Sequence, residues 1–262
     1  MAHVQPLLPT VERLDPAAAA TAAERYAVFE RFATPRRYGA ACAAGGELGE
    51  EGAAAVQRGV EAQLAELQAK NRDEYYGLVS PLEQFEAEQN AEVVVAGEEY
   101  YRQQHVLGGA TWNTRDQHMA NTVLRLRQHH EARNPPRREQ SSCLLELTPI
   151  ACLQVYAKHV SGGGPPKMIV FAHNSHIGDA RATTMGALVA EFNLGQLCRQ
   201  SFGAEAVFSL GFAGGGGTVT AAAEWGEPHK RRVLNPPPAG TWDDALQQGM
   251  ALWSAERGGA PP

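Results

Sequence analysis

A short apolar run, Lys167-Met-Ile-Val-Phe-Ala172, passes without a spacer into the polar segment His173-Asn-Ser-His-Ile-Gly-Asp-Ala-Arg181. Bounded by glycine and proline upstream, the run has strand length and not helix length. A second short apolar run occupies residues 205–212, and residues 183–202 between them have helical length and spacing. Strand, loop, helix and strand in that order predict a βαβ unit, the usual basis of a parallel sheet. Active residues are then expected just beyond the carboxyl end of the first strand.

The first half of the chain reads differently. Val11, Leu14, Ala18, Tyr26, Phe29 and Phe32 recur at roughly helical spacing. They predict one or two helices broken at Asp15-Pro16, with Pro16 suited to the first helical position behind an Asp cap. Residues 40–54, rich in alanine and glycine with weak periodicity, read as a loop or flexible insertion. Residues 61–76 recover a helical pattern through Leu64 and Leu67, and residues 85–104 form another helix carrying Gln89, Asn90, Tyr100 and Tyr101. Residues 235–240 read as a proline-rich connector, 242–253 as a last short helix and 257–262 as a frayed end. The expected fold is α/β in one domain over 1–262, with a mostly helical first half. A βαβ-containing, partly parallel sheet with flanking helices should follow.

Composition excludes several classes. With 44% hydrophobic and 20% charged residues, the chain has ordinary globular usage and is not broadly disordered. A formal net charge of -6 repels polyanions, and the basic cluster at 133–138 holds Pro135 and Pro136 and reads as a solvated loop. No nucleic-acid partner is expected. Cys42, Cys143, Cys152 and Cys198 are scattered without a CxxC pair, against a disulfide framework or structural zinc and for a reducing, cytoplasmic compartment. No run approaches membrane-spanning length, so no membrane association is expected.

Chemistry concentrates in residues 173–181, where two imidazoles, an amide, a hydroxyl, a carboxylate and a guanidinium fall within nine positions. Histidine titrates near neutrality, so His173 and His176 suit proton transfer. Asp179 is placed to orient one imidazole and Arg181 to stabilise a developing oxyanion. The plainer reading is a loop shaped by Asn174, Ser175 and Gly178. A metal reading also stands, two histidines three apart, but spacing specifies no third ligand and no cofactor is indicated. In Trp112-Asn-Thr-Arg-Asp-Gln-His-Met119, helical spacing puts Arg115, His118 and Met119 on one face. That face lines a cleft, or else the segment is merely an amphipathic helix start with Asp116 favouring its dipole. Gln89 and Asn90 flank the switch to the apolar run 93–95. Ser175 lacks the glycine-flanked elbow of a serine nucleophile. The run Gly214–Gly217 before Thr218 lacks a phosphate-loop lysine and reads as a turn.

At these segments the sequence resembles the erythromycin esterase family. The matching pieces, in order, are Glu24-Arg-Tyr-Ala-Val-Phe-Glu-Arg-Phe32, Glu88-Gln-Asn90, Glu98-Glu-Tyr-Tyr101, Trp112 to Met119, Ala172 to Arg181, Met185-Gly186, Asn193-Leu-Gly-Gln196 and Gly217-Thr-Val-Thr-Ala221. They cover about residues 10–235. The resemblance implies hydrolysis of a small-molecule ester or macrolide lactone by histidine-activated water. It implies His173 and His176 as paired active-site histidines and Arg115 as a cleft arginine. Asn174, Asp179, Arg181, His118, Asn90 and Met119 are the expected substrate-binding residues. Family members also carry an amino-terminal strand and a Gly-Glu-x-Thr-His-Gly-like turn with a catalytic histidine and glutamate, which residues 1–262 do not contain. The expected partner is therefore the missing amino-terminal half or a separate complementing chain. The rival reading is a non-catalytic small-molecule-binding or scaffold homologue.

Overall fold

The computed structural model describes residues 12, 15–73, 81–105, 110–132, 143–146, 154–158, 166–212, 214, 216–223 and 228–257. The chain divides into two compact units, Met1–Ser209 and Leu210–Pro262. The basic cluster at 133–138 and Cys152 lie outside the described residues.

The first unit opens with helix α1 (Pro16–Tyr26). Asp15 caps it by accepting from the Ala18 amide at 2.9 Å, and Pro16 occupies the first turn, where its missing N–H costs nothing. A 3-10 turn, Ala27–Arg31, leads to α2 (Pro35–Cys42), α3 (Gly49–Asp73), α4 (Pro81–Arg102) and α5 (Ala110–Ala132). The core shared by α1, this turn, α2, α3 and α4 gathers Tyr26, Phe29, Phe32, Tyr38, Val60 and Val94. Phe29 and Phe32 each meet Tyr38 edge-on, at 5.4 and 5.5 Å between ring centres, the arrangement aromatic quadrupoles favour.

Residues 40–54 are not a flexible insertion. The end of α2 and the start of α3 meet there in a tight corner, with Ala41, Cys42 and Ala53 buried. A side chain on Gly46 would come within 2.4 Å of the Ala40 carbonyl oxygen. Small residues let these backbones approach closely but leave little periodic hydrophobic signal.

Three strands follow, β1 (Cys143–Glu146), β2 (Gln154–Lys158) and β3 (Lys167–Phe171), ordered β1-β2-β3 with both pairings antiparallel. Cys143 sits opposite Ala157, and Gln154 opposite Phe171. Beyond β3 come a four-residue helix α6 (Asn174–Ile177), a 3-10 turn (Ala180–Ala182), α7 (Thr184–Val189) and α8 (Leu194–Phe202).

The expected βαβ unit is thus corrected. Strand β3 forms as expected, but the helical stretch breaks at Ala190, whose φ of 54° is the only left-handed non-glycine backbone among the described residues. Residues 205–212 run from the end of a 3-10 turn, Ala204–Ala206, into irregular chain outside any ladder. Every strand pairing among the described residues is antiparallel. Apolar alternation indicates extended chain but does not name a pairing partner, and Phe208 projects to solvent, 91% exposed.

Strand β3 has one covered face. Met168 and Val170 pack into a second core with Met119, Val123, Leu126 and Leu194, whereas Ile169 and Phe171 are exposed. That core locks α5, β3 and α8 together and fixes the ground on which residues 172–194 are folded.

The second unit holds an antiparallel pair, β4 (Thr218–Ala221) and β5 (Lys230–Val233), and helix α9 (Trp242–Arg257), close to the span read from sequence. Among the described residues, no helix is long and apolar enough to cross a membrane.

Candidate active site

Helix α5 brings Trp112, Arg115 and Asp116 to the segment that leaves β3. The cluster centres on His176, which is buried on α6. Its ring stacks on the Trp112 indole, 4.5 Å between centres and 5° from parallel. His176 Nδ1 donates to Asp116 Oδ1 at 2.7 Å, and Arg115 Nη2 donates to His176 Nε2 at 3.2 Å. Asp116 is fully buried, and its other oxygen accepts from the Leu194 amide at 2.8 Å. The carboxylate therefore sits at the amino end of α8, where backbone N–H groups and the helix dipole favour negative charge. A carboxylate buried this deeply is tolerable because each oxygen has a donor.

Arg115 is held on three sides. Its guanidinium carbon lies 5.2 Å from the centre of the Trp112 ring and 5.9 Å from that of Tyr100, within cation–π range of both. Its Nε is buried and has no hydrogen-bond partner among the described residues.

The loop that carries this cluster is tied at several points. Trp112 Nε1 donates to the Phe192 carbonyl at 2.9 Å, while Asn113 accepts from the Phe192 amide and donates to the Ala190 carbonyl. Asn193, itself buried, caps α8 by accepting from Gln196 N and also accepts from Ala180 N, while its amide donates to the Ser175 carbonyl at 2.9 Å. One side chain thus joins α6, the 3-10 turn and α8. Gly195 allows the close approach: a side chain there would lie 2.1 Å from the Gly178 carbonyl oxygen.

His173 is exposed at the amino end of α6. Its Nδ1 accepts from the Ser175 amide at 3.2 Å and lies 2.8 Å from Ser175 Oγ. Asn174, beside it, is exposed as well. Asp179 and Arg181 do not reach the histidines; they pair with each other through two contacts of 2.9 and 2.6 Å near the surface. The pairing holds the Asp179 carboxyl below its ordinary range. Asp116, not Asp179, orients an imidazole, because it alone stands beneath His176 when α5 packs against α6.

The shared face read for Arg115, His118 and Met119 divides. Met119 is fully enclosed in the second core. His118 lines a groove of about 470 Å³ with Glu92, Glu99, Arg125, Leu64 and Phe192. Burial, and secondarily the Arg125 charge, lower its pKa to about 4. Residues spaced i, i+3 and i+4 span an arc as wide as a buried stripe, so its two ends face different neighbours. Asn90 is half-buried on α4, about two turns before Glu98.

Sequence reading missed Trp112, Asp116, Tyr100 and Asn193 as parts of this site. Asn193-x-x-Gln196 carries a capping signal that could have placed Asn193 at a helix start. Among the described residues, no group of three or more His, Cys, Asp and Glu side chains is placed to hold a metal ion. What the cluster offers is a fixed cation on a buried imidazole–carboxylate pair, with a second, exposed imidazole three residues away along the chain.

A family model described as erythromycin esterase matches residues 2–138 and 151–255. No solved structure matches the chain. The match spans helices α1 to α5, the β3–α8 segment with its histidines, and most of the second unit, and the chain accordingly belongs to the erythromycin esterase family.

Proposed function

We propose that this protein is a carboxylic ester hydrolase of the erythromycin esterase type, opening an ester or macrolide lactone by histidine-assisted attack of water. The observation that carries the reading is Arg115: a guanidinium held by His176, Trp112 and Tyr100, with a buried donor left over, next to the segment that bears His173. A carbonyl oxygen that gains charge on attack is the acceptor such a donor suits. A macrolide substrate would make the protein part of a response to that class of antibiotic, acting in the reducing cytoplasm where Cys42 and Cys198 stay free thiols.

The test is turnover of an erythromycin-type macrolide and of a simple aryl ester by the purified chain, beside His173→Ala. Hydrolysis that falls roughly 10²–10⁴-fold in the variant, the usual size of a lost proton-transfer group, supports the proposal. Folded protein that binds a macrolide without opening it would replace the hydrolase by a binding homologue.

A further inference from the structure

On the side of α5 that carries His118, helices α3, α4 and α5 leave a groove of about 470 Å³, in the size range of small-molecule sites. Arg115, Asp116 and His176 are not among the described residues that line it. Its charges are largely answered within the protein. Glu92 and Arg125 pair with each other across the α4–α5 seam, Glu92 the more buried of the two. Glu99, the other carboxylate of the lining, is exposed, and its Oε1 accepts from Gln103 Nε2 at 3.2 Å. Gln103 accepts in turn from the Thr114 hydroxyl at 3.0 Å, which ties that rim to α5. Burial raises the Glu92 carboxyl above its ordinary range, against the pull of Arg125, and lowers His118 to about 4. Acid and base are both pushed toward their neutral forms, so the interior of the groove penalises charge of either sign.

The rest of the lining is neutral. Gln117 Nε2 donates to Asn121 Oδ1 at 2.9 Å, an i,i+4 pair on α5. Each amide has used one end in that bond, and the ends turned away from it are a carbonyl oxygen on Gln117 and an NH2 on Asn121. Leu64, Val95 and Phe192 supply apolar surface. Phe192 is a fixed wall, because its carbonyl accepts from Trp112 Nε1 at 2.9 Å and its amide donates to Asn113 Oδ1 at 3.0 Å. A ligand suited to such a lining carries groups that both donate and accept, an apolar face for the phenyl ring and no net charge. A ring bearing several hydroxyls, as a sugar does, has all three.

We infer that this groove is a second binding site, separate from the Arg115 cluster, for a neutral polyhydroxylated ring. The Gln117 and Asn121 amides and the neutral His118 imidazole exchange hydrogen bonds with its hydroxyls, and its C–H face lies on Phe192. Binding there needs no ester and no chemistry at Arg115, so it stands or falls apart from the hydrolase reading.

Methyl glucoside, glucuronate and glucosamine present closely similar rings in neutral, anionic and cationic form. The full chain, labelled with 13C-histidine, is titrated with each at pH 6.5 while the His118 imidazole C–H signal is followed, that signal being the one lost in His118→Gln. Methyl glucoside should shift it saturably, and the two charged rings should bind at least about tenfold more weakly. Phe192→Ala and Asn121→Leu should each raise the Kd for methyl glucoside about fivefold or more, the scale of one lost neutral contact, while Arg115→Gln leaves it within about twofold. Absence of a saturable shift with methyl glucoside overturns the site, and a charged ring bound as tightly as the neutral one overturns the ligand class. Asn121→Leu replaces an exposed side chain by a good helix former, so the fold survives it. An unchanged Kd in that variant, or loss of binding in Arg115→Gln, would place the ring outside the groove and overturn the inference as well.

Discussion

Among the described residues, the first unit buries two carboxylates, and they are solved differently. In the helical corner, Glu98 Oε1 accepts from the Tyr38 hydroxyl at 2.8 Å and from Arg102 Nε at 2.9 Å, beneath the aromatic cluster of Phe29 and Phe32. At the α5–α8 ledge, Asp116 accepts from Leu194 N and His176 Nδ1, and His176 passes the connection to Arg115. In the first arrangement both donors converge on the Oε1 oxygen of Glu98. The second runs outward to a guanidinium that keeps a buried donor without an acceptor. A satisfied buried network rigidifies a core, whereas a buried donor without an acceptor costs free energy that its surroundings must offset. The two carboxylates thus differ in what lies beyond them, a partly exposed Arg102 at the corner and Arg115 at the ledge.

The largest expected effect tests that contrast by truncation. Asp116→Ala strands two donors, Leu194 N and the His176 ring, at about 1–3 kcal/mol each when neither can reach water. Glu98→Ala strands chiefly the Tyr38 hydroxyl, because Arg102 remains partly solvent-accessible, and should cost less. Urea unfolding of both variants gives the order. The isosteric pair then separates stability from chemistry: Asp116→Asn should lose ester hydrolysis, while Glu98→Gln, once folded, should retain it. A well-folded Glu98→Gln that cannot hydrolyse would make the corner part of the site and end the distinction.

His118 belongs to neither network and sharpens the comparison through pH. It shares α5 with Asp116 but lines the groove. Its folded pKa, about 4 against an ordinary 6.5, is depressed, so the fold holds fewer protons there than the unfolded chain does. The contribution is fully present above pH 6.5 and is lost as pH falls through about 4. At 1.36 kcal/mol per unit the difference is at most ~3 kcal/mol. Denaturant midpoints at pH 7.5, 5.5 and 4 should converge between wild type and His118→Gln as pH falls. Parallel curves would mean that the groove does not penalise charge on His118.

How far the sequence carried this picture depends on whether the cause was local. The Asp15-Pro16 helix start, strand β3 and the histidine segment were legible because caps, short apolar runs and dense polar motifs are written in consecutive residues. Arg115 was legible as a family match, and the structure sets it against His176. Asp116 was read only as a helix-dipole residue, since its real partners lie 60 and 78 positions away. Asp179 was matched to a histidine by proximity along the chain, but its neighbour Arg181 is closer in space and carries opposite charge. The parallel sheet failed for the same reason, because strand order is set by long-range packing and not by the alternation within one run.

The smallest expected effect removes one oxygen. Tyr38→Phe keeps the edge-on packing with Phe29 and Phe32 and deletes one of the two donors to Glu98, leaving Arg102. At neutral pH the loss should be about 1 kcal/mol, a typical net hydrogen bond. The alkaline side should move the other way. Burial, reinforced by the Glu98 charge, pushes the Tyr38 hydroxyl far above its ordinary value of 10.0. A raised folded pKa means that the native state keeps a proton the unfolded chain releases, so this stability is intact below pH 10 and declines as pH rises beyond it. Wild type should therefore lose stability more steeply than Tyr38→Phe above pH 10. Tyr26, pushed up to about 12, and Cys198, pushed up to about 11, titrate in both proteins and cancel from the difference. If the two proteins instead fall in parallel above pH 10, water reaches Tyr38 and the corner is open; if wild type falls more steeply, the corner is closed around Glu98.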